Sequence, residues 1–302
     1  MKLKNKKFNI KLNKPIPVDE FIEKILYTPK VGYYSSKDPF GKNGDFITSP
    51  TISNLFSEII AIWLISTWEK IGKPKRFYFI ELGPGDGSLT KVITDTLKKF
   101  PEINKAIKIY LYEKSTILKK IQKKKIDDKN VKWITNFNSI KKGPAFFFGN
   151  EFFDAIPIKQ YSNINNIFFE KCYDVKNEVD VNETFIRSNK RDIAQIKTFK
   201  TLKKLKFLEF PKKGFLELDP IIKKINKLSG GILLIDYGYL KSDNSNTLQA
   251  VMDNKKISME DVFNNPGKAD VTSLVNFNLL KEYFEQKKLK VKKIVFQKFF
   301  LE

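Results

Sequence analysis

"FYFIELGPGDGSLTKVI" spans residues 77–93. An apolar run ends in three glycines and passes into helically spaced apolar residues, the order of a buried strand, a tight turn and a helix. Three readings fit Gly83, Gly85 and Gly87: a bare strand-to-helix turn, a dinucleotide site, or a site for another nucleoside. A dinucleotide turn asks for G-x-G-x-x-G/A, with an acidic residue about 20 positions on for the ribose. Here the sixth position is Ser88, and the acid ending the next predicted strand, Glu113, lies well beyond that distance. A carboxylate at the tip of the second strand can accept both ribose hydroxyls. Glu81, two residues before the turn, would repel a pyrophosphate. It would attract a ligand carrying an ammonium and a sulfonium, so charge and spacing favour S-adenosylmethionine over NAD.

Composition narrows the chemistry. The chain has 302 residues, 41% hydrophobic, with 27 Phe, enough for one large domain or a domain with a smaller lobe. The net charge of +22 comes mostly from lysines scattered through every segment. It reads as a solvated basic surface ahead of a polyanion site or an acidic protein partner. With no histidine and one cysteine, Cys172, neither an intramolecular disulfide nor a zinc site is expected. Nucleophile activation by histidine is excluded too, which leaves acid–base work to carboxylates, Tyr or Lys. The longest apolar run, 59–65, is far short of the ~18 residues of a membrane span. The basic N-terminus lacks an apolar signal core, and a soluble intracellular protein is expected.

Strands are predicted at 77–82, 107–112, 131–134, 145–149 and 231–236, with helices at 88–99, 115–125, 151–156 and 219–228. Apolar strands separated by helices predict a parallel sheet covered on both faces. Residues 16–27 and 51–72 read as helices around a glycine-punctuated loop. "NIFFEKCYDV" (166–175) and "ETFIRS" (183–188) read as antiparallel strands, followed by a helix over 191–205. The C-terminus reads as a long helix and a final strand. The expected organisation is an N-terminal helical extension with a cofactor-covering loop (1–74), a core of 75–157 and 216–302, and an inserted α+β subdomain (158–215).

An acidic residue before G-x-G-x-G resembles the first motif of class I S-adenosylmethionine methyltransferases. The other motifs sharpen this: "GYYSSKDPFGKNGDFITSPTISNLFSEIIAIWL" (32–64), "ELGPGDGSL" (81–89), "YEKS" (112–115), "NEFFDAIPIKQ" (150–160), "IDYG" (235–238), "NTLQAV" (246–251) and "PGKADVTSLVNF" (266–277). In this order they resemble the MidA-type methyltransferases, the family of the mitochondrial complex I assembly factor that methylates a protein arginine. The resemblance implies a Rossmann-like class I fold with an N-terminal extension and an inserted lobe. It further implies S-adenosylmethionine as cofactor, and as partner a protein substrate, in the characterised case a complex I subunit. The implied location is the bacterial cytoplasm or the mitochondrial matrix, and a homodimer is an assembly open to it. The chain departs from the family at "MDNKKISM" (252–259), Leu274 and Asn276, where relatives often carry histidine or aspartate. It also closes soon after its last predicted strand, without a longer C-terminal extension.

Methyl transfer from a sulfonium needs alignment and exclusion of water. A guanidinium nucleophile needs carboxylates to orient it and take up charge as its proton leaves. "GNEFFDAIP" follows the fourth core strand, at the sheet edge where substrates bind. Glu151 and Asp154 would share a face of a helical turn, and with Asn150 they are the expected catalytic residues. The competing reading makes Asn150 or Asp154 a helix cap and lets Glu151 answer the helix dipole. Cofactor contacts are expected from Glu81, Gly83, Gly85, Gly87 and Glu113. Gly44, Asp45, Phe46 and Tyr34 are expected to cover the cofactor from the loop side, and Asp236 and Tyr237 to line the substrate side. Two alternatives stand beside arginine methylation: a catalytically weak, cofactor-binding assembly chaperone, and a nucleic-acid methyltransferase. "NEFF" differs from the N-P-P-Y/F motif expected for a flipped base.

Overall fold

The computed structural model describes residues 14–36, 54–176 and 180–301. The chain divides into two compact units, one of residues 1–37, 153–218 and 237–292, the other of 38–152, 219–236 and 293–302.

The second unit carries the glycine turn. In chain order its principal elements are α1 (Asn54–Lys70), β1 (Phe77–Leu82), α2 (Ser88–Leu97), β2 (Ile107–Tyr112), α3 (Thr116–Lys125), β3 (Val131–Ile134), β4 (Ala145–Asn150) and β5 (Gly230–Ile235). The strands form a parallel sheet in the order β5-β4-β1-β2-β3. All six residues of β1 are buried, which is why the strand reads as a continuous apolar run rather than an alternation. Phe77 and Phe79 share a core with Phe56, Ile60, Leu64 and Trp68 of α1 and Leu89, Ile93 and Leu97 of α2. This is the expected Rossmann-like α/β fold. Strand order reverses between β1 and β4, so their carboxyl ends border a topological switch point, the usual place for a ligand in such a sheet.

Gly230 opens β5 at φ +135°, and a Cβ there would lie 2.0 Å from the Ala145 carbonyl oxygen. Gly72, just past α1, also has a positive φ but faces open space. Gly230→Ala should therefore cost at least about 3 kcal/mol, through strain and lost β4–β5 pairing. Gly72→Ala should cost only about 1 kcal/mol. Urea midpoints of the two variants check the ordering.

In the first unit, Ile16–Pro17, Lys159–Ile164, Ile167–Lys176, Asp180–Arg187 and Phe207–Phe210 make an antiparallel sheet. The two strands expected around 166–188 are both in it. The helix expected over 191–205 is shorter, Lys190–Lys197 with a 3-10 turn at Lys200–Leu202. Phe199 leaves helical geometry between them and stacks on Phe215 at 5.5 Å. The final strand does not form: residues 289–296 have no regular structure and Gln297–Leu301 is helical. Phe300 and Leu301 of that short helix pack against the apolar core of the second unit, to which they belong. No helix among the described residues is long and apolar enough to cross a membrane.

Candidate functional site

The glycine turn is built by backbone conformations that side chains resist. Gly83, Gly85 and Gly87 have φ of +61°, +54° and +83°, in the left-handed region that glycine enters without a Cβ penalty. Gly83 donates its N–H to the Tyr112 carbonyl at 3.0 Å, so the turn is tied to the end of β2. Asp86 accepts from the Ser88 N–H at 2.9 Å and the Ser88 hydroxyl at 2.8 Å, which satisfies an otherwise free donor at the start of α2. Lys125 of α3 pairs with the same carboxylate and donates to the Ser88 hydroxyl at 2.9 Å.

Two carboxylates flank the turn. Glu81, the fifth residue of β1, is 4% exposed and accepts a hydrogen bond from the Thr90 hydroxyl of α2. Burial pushes its pKa from 4.5 up to about 7, the Thr90 hydrogen bond opposes the rise, and the negative charges of Asp86 and Glu113 add to it. Glu113 directly follows β2. It accepts from the Ser115 N–H at 2.7 Å and from the Gln122 side-chain amide at 3.2 Å. Burial raises its pKa, while hydrogen bonds from Ser115 and Gln122 work against the rise. Glu81, the three glycines and Glu113 thus meet at the carboxyl ends of β1 and β2, as the sequence suggested.

Across the switch point, Asn150 ends β4 opposite Ile235 of β5. Glu151 follows with φ +48°, in the left-handed region, which costs a residue with a Cβ of order 1 kcal/mol and tends to mark functional positions. Its N–H donates to the Ile235 carbonyl at 2.9 Å, and its carboxylate accepts from the Asn150 amide at 3.3 Å. Burial raises the Glu151 pKa, against the Asn150 hydrogen bond. The buried Asn150 Oδ1 has no hydrogen-bond partner among the described residues, an acceptor suited to a ligand donor. Phe152 closes the gap to the turn, since a Cβ on Gly83 would lie 3.1 Å from its ring. Phe152, two residues after β4, therefore stands against the glycine turn.

The helix expected over 151–156 is absent. These residues form bends and a turn in which the Ile156 N–H reaches the Phe153 carbonyl at 3.2 Å. The left-handed Glu151 breaks the helical path at one end, and Pro157 disfavours helical geometry at Ile156 at the other. The shared helix face for Glu151 and Asp154 falls with it, as does a helix for Asn150 or Asp154 to cap. Asp154 belongs to the first unit, where its carbonyl accepts from the Ser273 N–H at 3.1 Å. Tyr34 is in that unit too. It stacks on Tyr27 at 5.6 Å, and burial with the charges of Asp270 and Asp154 holds its phenol well above the usual 10. Gly44, Asp45 and Phe46 lie outside the described residues. Asp236 follows Ile235, next to the Asn150 pairing; Tyr237 is 60% exposed.

Sequence reasoning passed over Thr90, Gln122, Lys125 and Phe152. Each acts through a contact whose partner is many residues away, and spacing gives no sign of it.

Comparison with known proteins agrees with the fold. A family model described as "Putative S-adenosyl-L-methionine-dependent methyltransferase" matches residues 59–295. The mitochondrial protein arginine methyltransferase NDUFAF7 of Xenopus laevis is 28% identical over 298 residues, 91% of this chain and 67% of that protein. The human protein of the same name is 29% identical over 314 residues, 94% of this chain and 69% of its own. A Burkholderia thailandensis protein crystallised with S-adenosyl-homocysteine superposes with a TM-score of 0.73 at 20% identity, over 90% of this chain and 72% of its own.

Proposed function

The chain belongs to the S-adenosyl-L-methionine-dependent methyltransferase family, and from that premise we propose that it methylates an arginine side chain of a protein. The relatives named protein arginine methyltransferase support this acceptor. So does Glu151, a half-buried carboxylate in a strained conformation beside the residue that touches the glycine turn. This last observation carries the reading. A subunit of respiratory complex I, or an assembly intermediate, is the proposed substrate. The bacterial cytoplasm or the mitochondrial matrix is the compartment that goes with it.

The residues fit the cofactor. The three left-handed glycines leave the turn open to close approach. Glu81 answers the positive charge of the amino-acid end, and Glu113 accepts from the ribose hydroxyls. Bound S-adenosylmethionine supplies an electrophilic methyl on sulfur. Glu151 grips the incoming guanidinium and turns one nitrogen toward that methyl, and Asn150 holds the Glu151 carboxylate in place and offers its free Oδ1 to a second donor.

The test supplies the purified protein and labelled S-adenosylmethionine to an extract of cells lacking the gene, then hydrolyses the labelled protein. Labelled methylarginine is expected. Bound S-adenosylhomocysteine in calorimetry with no methylarginine formed would overturn the arginine reading and favour the assembly chaperone. Label in nucleic acid would favour the remaining alternative.

A further inference from the structure

Gln122 is fully buried on α3, and both ends of its amide are hydrogen-bonded. Its Nε2 donates to the Gly85 carbonyl at 2.7 Å and to Glu113 Oε2 at 3.2 Å. Its Oε1 accepts from the Trp133 indole at 2.8 Å. An indole N–H can only donate, so Trp133 fixes which end of the amide is oxygen and sends both amide hydrogens toward the turn and the acid. One side chain thereby joins the glycine turn after β1, the carboxylate after β2 and the edge strand β3. The stem of Gln122 also backs the turn, because a Cβ on Gly87 would lie 3.3 Å from its Cγ.

We propose that Gln122 is a positioning residue that sets the Glu113 carboxylate against the Gly85 carbonyl and so fixes where ribose hydroxyls are accepted. The proposal rests on the reading of Glu113 as the ribose acceptor. The Ser115 N–H occupies one lone pair on Oε1 and Gln122 one on Oε2. The backbone N–H of Lys114 also bonds this carboxylate, and these donors together set the direction in which its remaining acceptor capacity points. Without Gln122 the carboxylate can rotate about its own bonds, and the Gly85 carbonyl loses its buried donor. Removing the two hydroxyl acceptors' alignment should affect only ligands that have the hydroxyls.

That selectivity separates positioning from a merely structural role. The experiment is calorimetry with S-adenosylhomocysteine and with its analogue lacking both ribose hydroxyls, on the wild type, Gln122→Met, Trp133→Phe and Glu113→Gln. Gln122→Met keeps the side-chain volume and removes both donors. It should weaken S-adenosylhomocysteine about tenfold and leave the dideoxy analogue within threefold of wild type. Equal weakening of both ligands, or of neither, overturns the proposal. Should the Met variant not fold, Trp133→Phe carries the test: with the amide free to turn, discrimination between the ligands should narrow at least threefold, and unchanged discrimination overturns it. Glu113→Gln is the control on the premise. If it keeps full discrimination, the ribose reading of Glu113 fails. If it loses discrimination while Gln122→Met keeps it, only the role of Gln122 fails.

Discussion

Glu81→Gln should abolish tight cofactor binding and at the same time stabilise the ligand-free protein above neutral pH. The two effects share a cause. Glu81 is buried, with Thr90 donating to it and the charges of Asp86 and Glu113 close enough to repel it, and its pKa stands at about 7. In the unfolded chain the same group ionises near 4.5. Between those values the unfolded state gives up its proton first, so stability falls as pH rises from about 4.5 to 7 and levels off above. At pH 8 the full penalty, roughly 3 kcal/mol from the size of that rise, is present, and the neutral amide escapes it. The variant should melt several degrees above wild type at pH 8 and close to it at pH 4.5. Binding runs the other way. A ligand with an ammonium and a sulfonium needs the ionised carboxylate, so wild-type affinity should fall about tenfold per pH unit below 7. Glu81→Gln should bind at least 100-fold more weakly at pH 8, with no such pH dependence. Calorimetry and thermal melts from pH 4.5 to 8.5 read both arms. Near-wild-type affinity of the variant at pH 8 would remove Glu81 from the site.

The same residues show how far sequence reading reaches. "FYFIELGPGDG" is legible because each part is local: five apolar residues in a run of six need a strand buried on both faces, and three glycines need left-handed backbone. Glu113 is legible because a strand end can be counted from apolar spacing, and β2 stops one residue before it. The arrangement behind these residues is not local. Gln122 reaches Gly85 across 37 positions and Trp133 reaches Gln122 across 11, and a lysine-rich helical stretch gives no hint that one glutamine in it is buried. Residues 151–156 misled for the opposite reason. Their composition permits a helix, but the Glu151 N–H is drawn to the Ile235 carbonyl on a neighbouring strand, and this tertiary bond holds the left-handed turn. The C-terminal strand failed likewise, since a strand needs a paired neighbour and residues 289–296 find none among the described residues.

The strain at Glu151 leads to the second large effect. A residue with a Cβ at φ +48° is held against its preference by the bond to Ile235, and glycine would adopt the same backbone without that cost. Glu151→Gly should therefore raise stability by about 1 kcal/mol, while Glu151→Gln, which keeps the Cβ and the shape, should leave stability nearly unchanged. Both should reduce methyl transfer at least 1,000-fold if the carboxylate orients the guanidinium and takes up its developing charge. Neither should shift the affinity for S-adenosylhomocysteine beyond threefold, because Glu81, Glu113 and the glycine turn are intact. The carboxylate must be ionised to act, and burial has raised its pKa, so wild-type activity should drop on the acid side at a higher pH than an exposed glutamate would give. Rates with labelled S-adenosylmethionine, taken beside binding and melting curves, separate the possibilities. A Gln variant that retains more than a tenth of wild-type activity would move the catalytic carboxylate elsewhere, with Asp154 the next to test. A Gly variant more stable than wild type but inactive would show that the strain is kept for the position it gives the carboxylate.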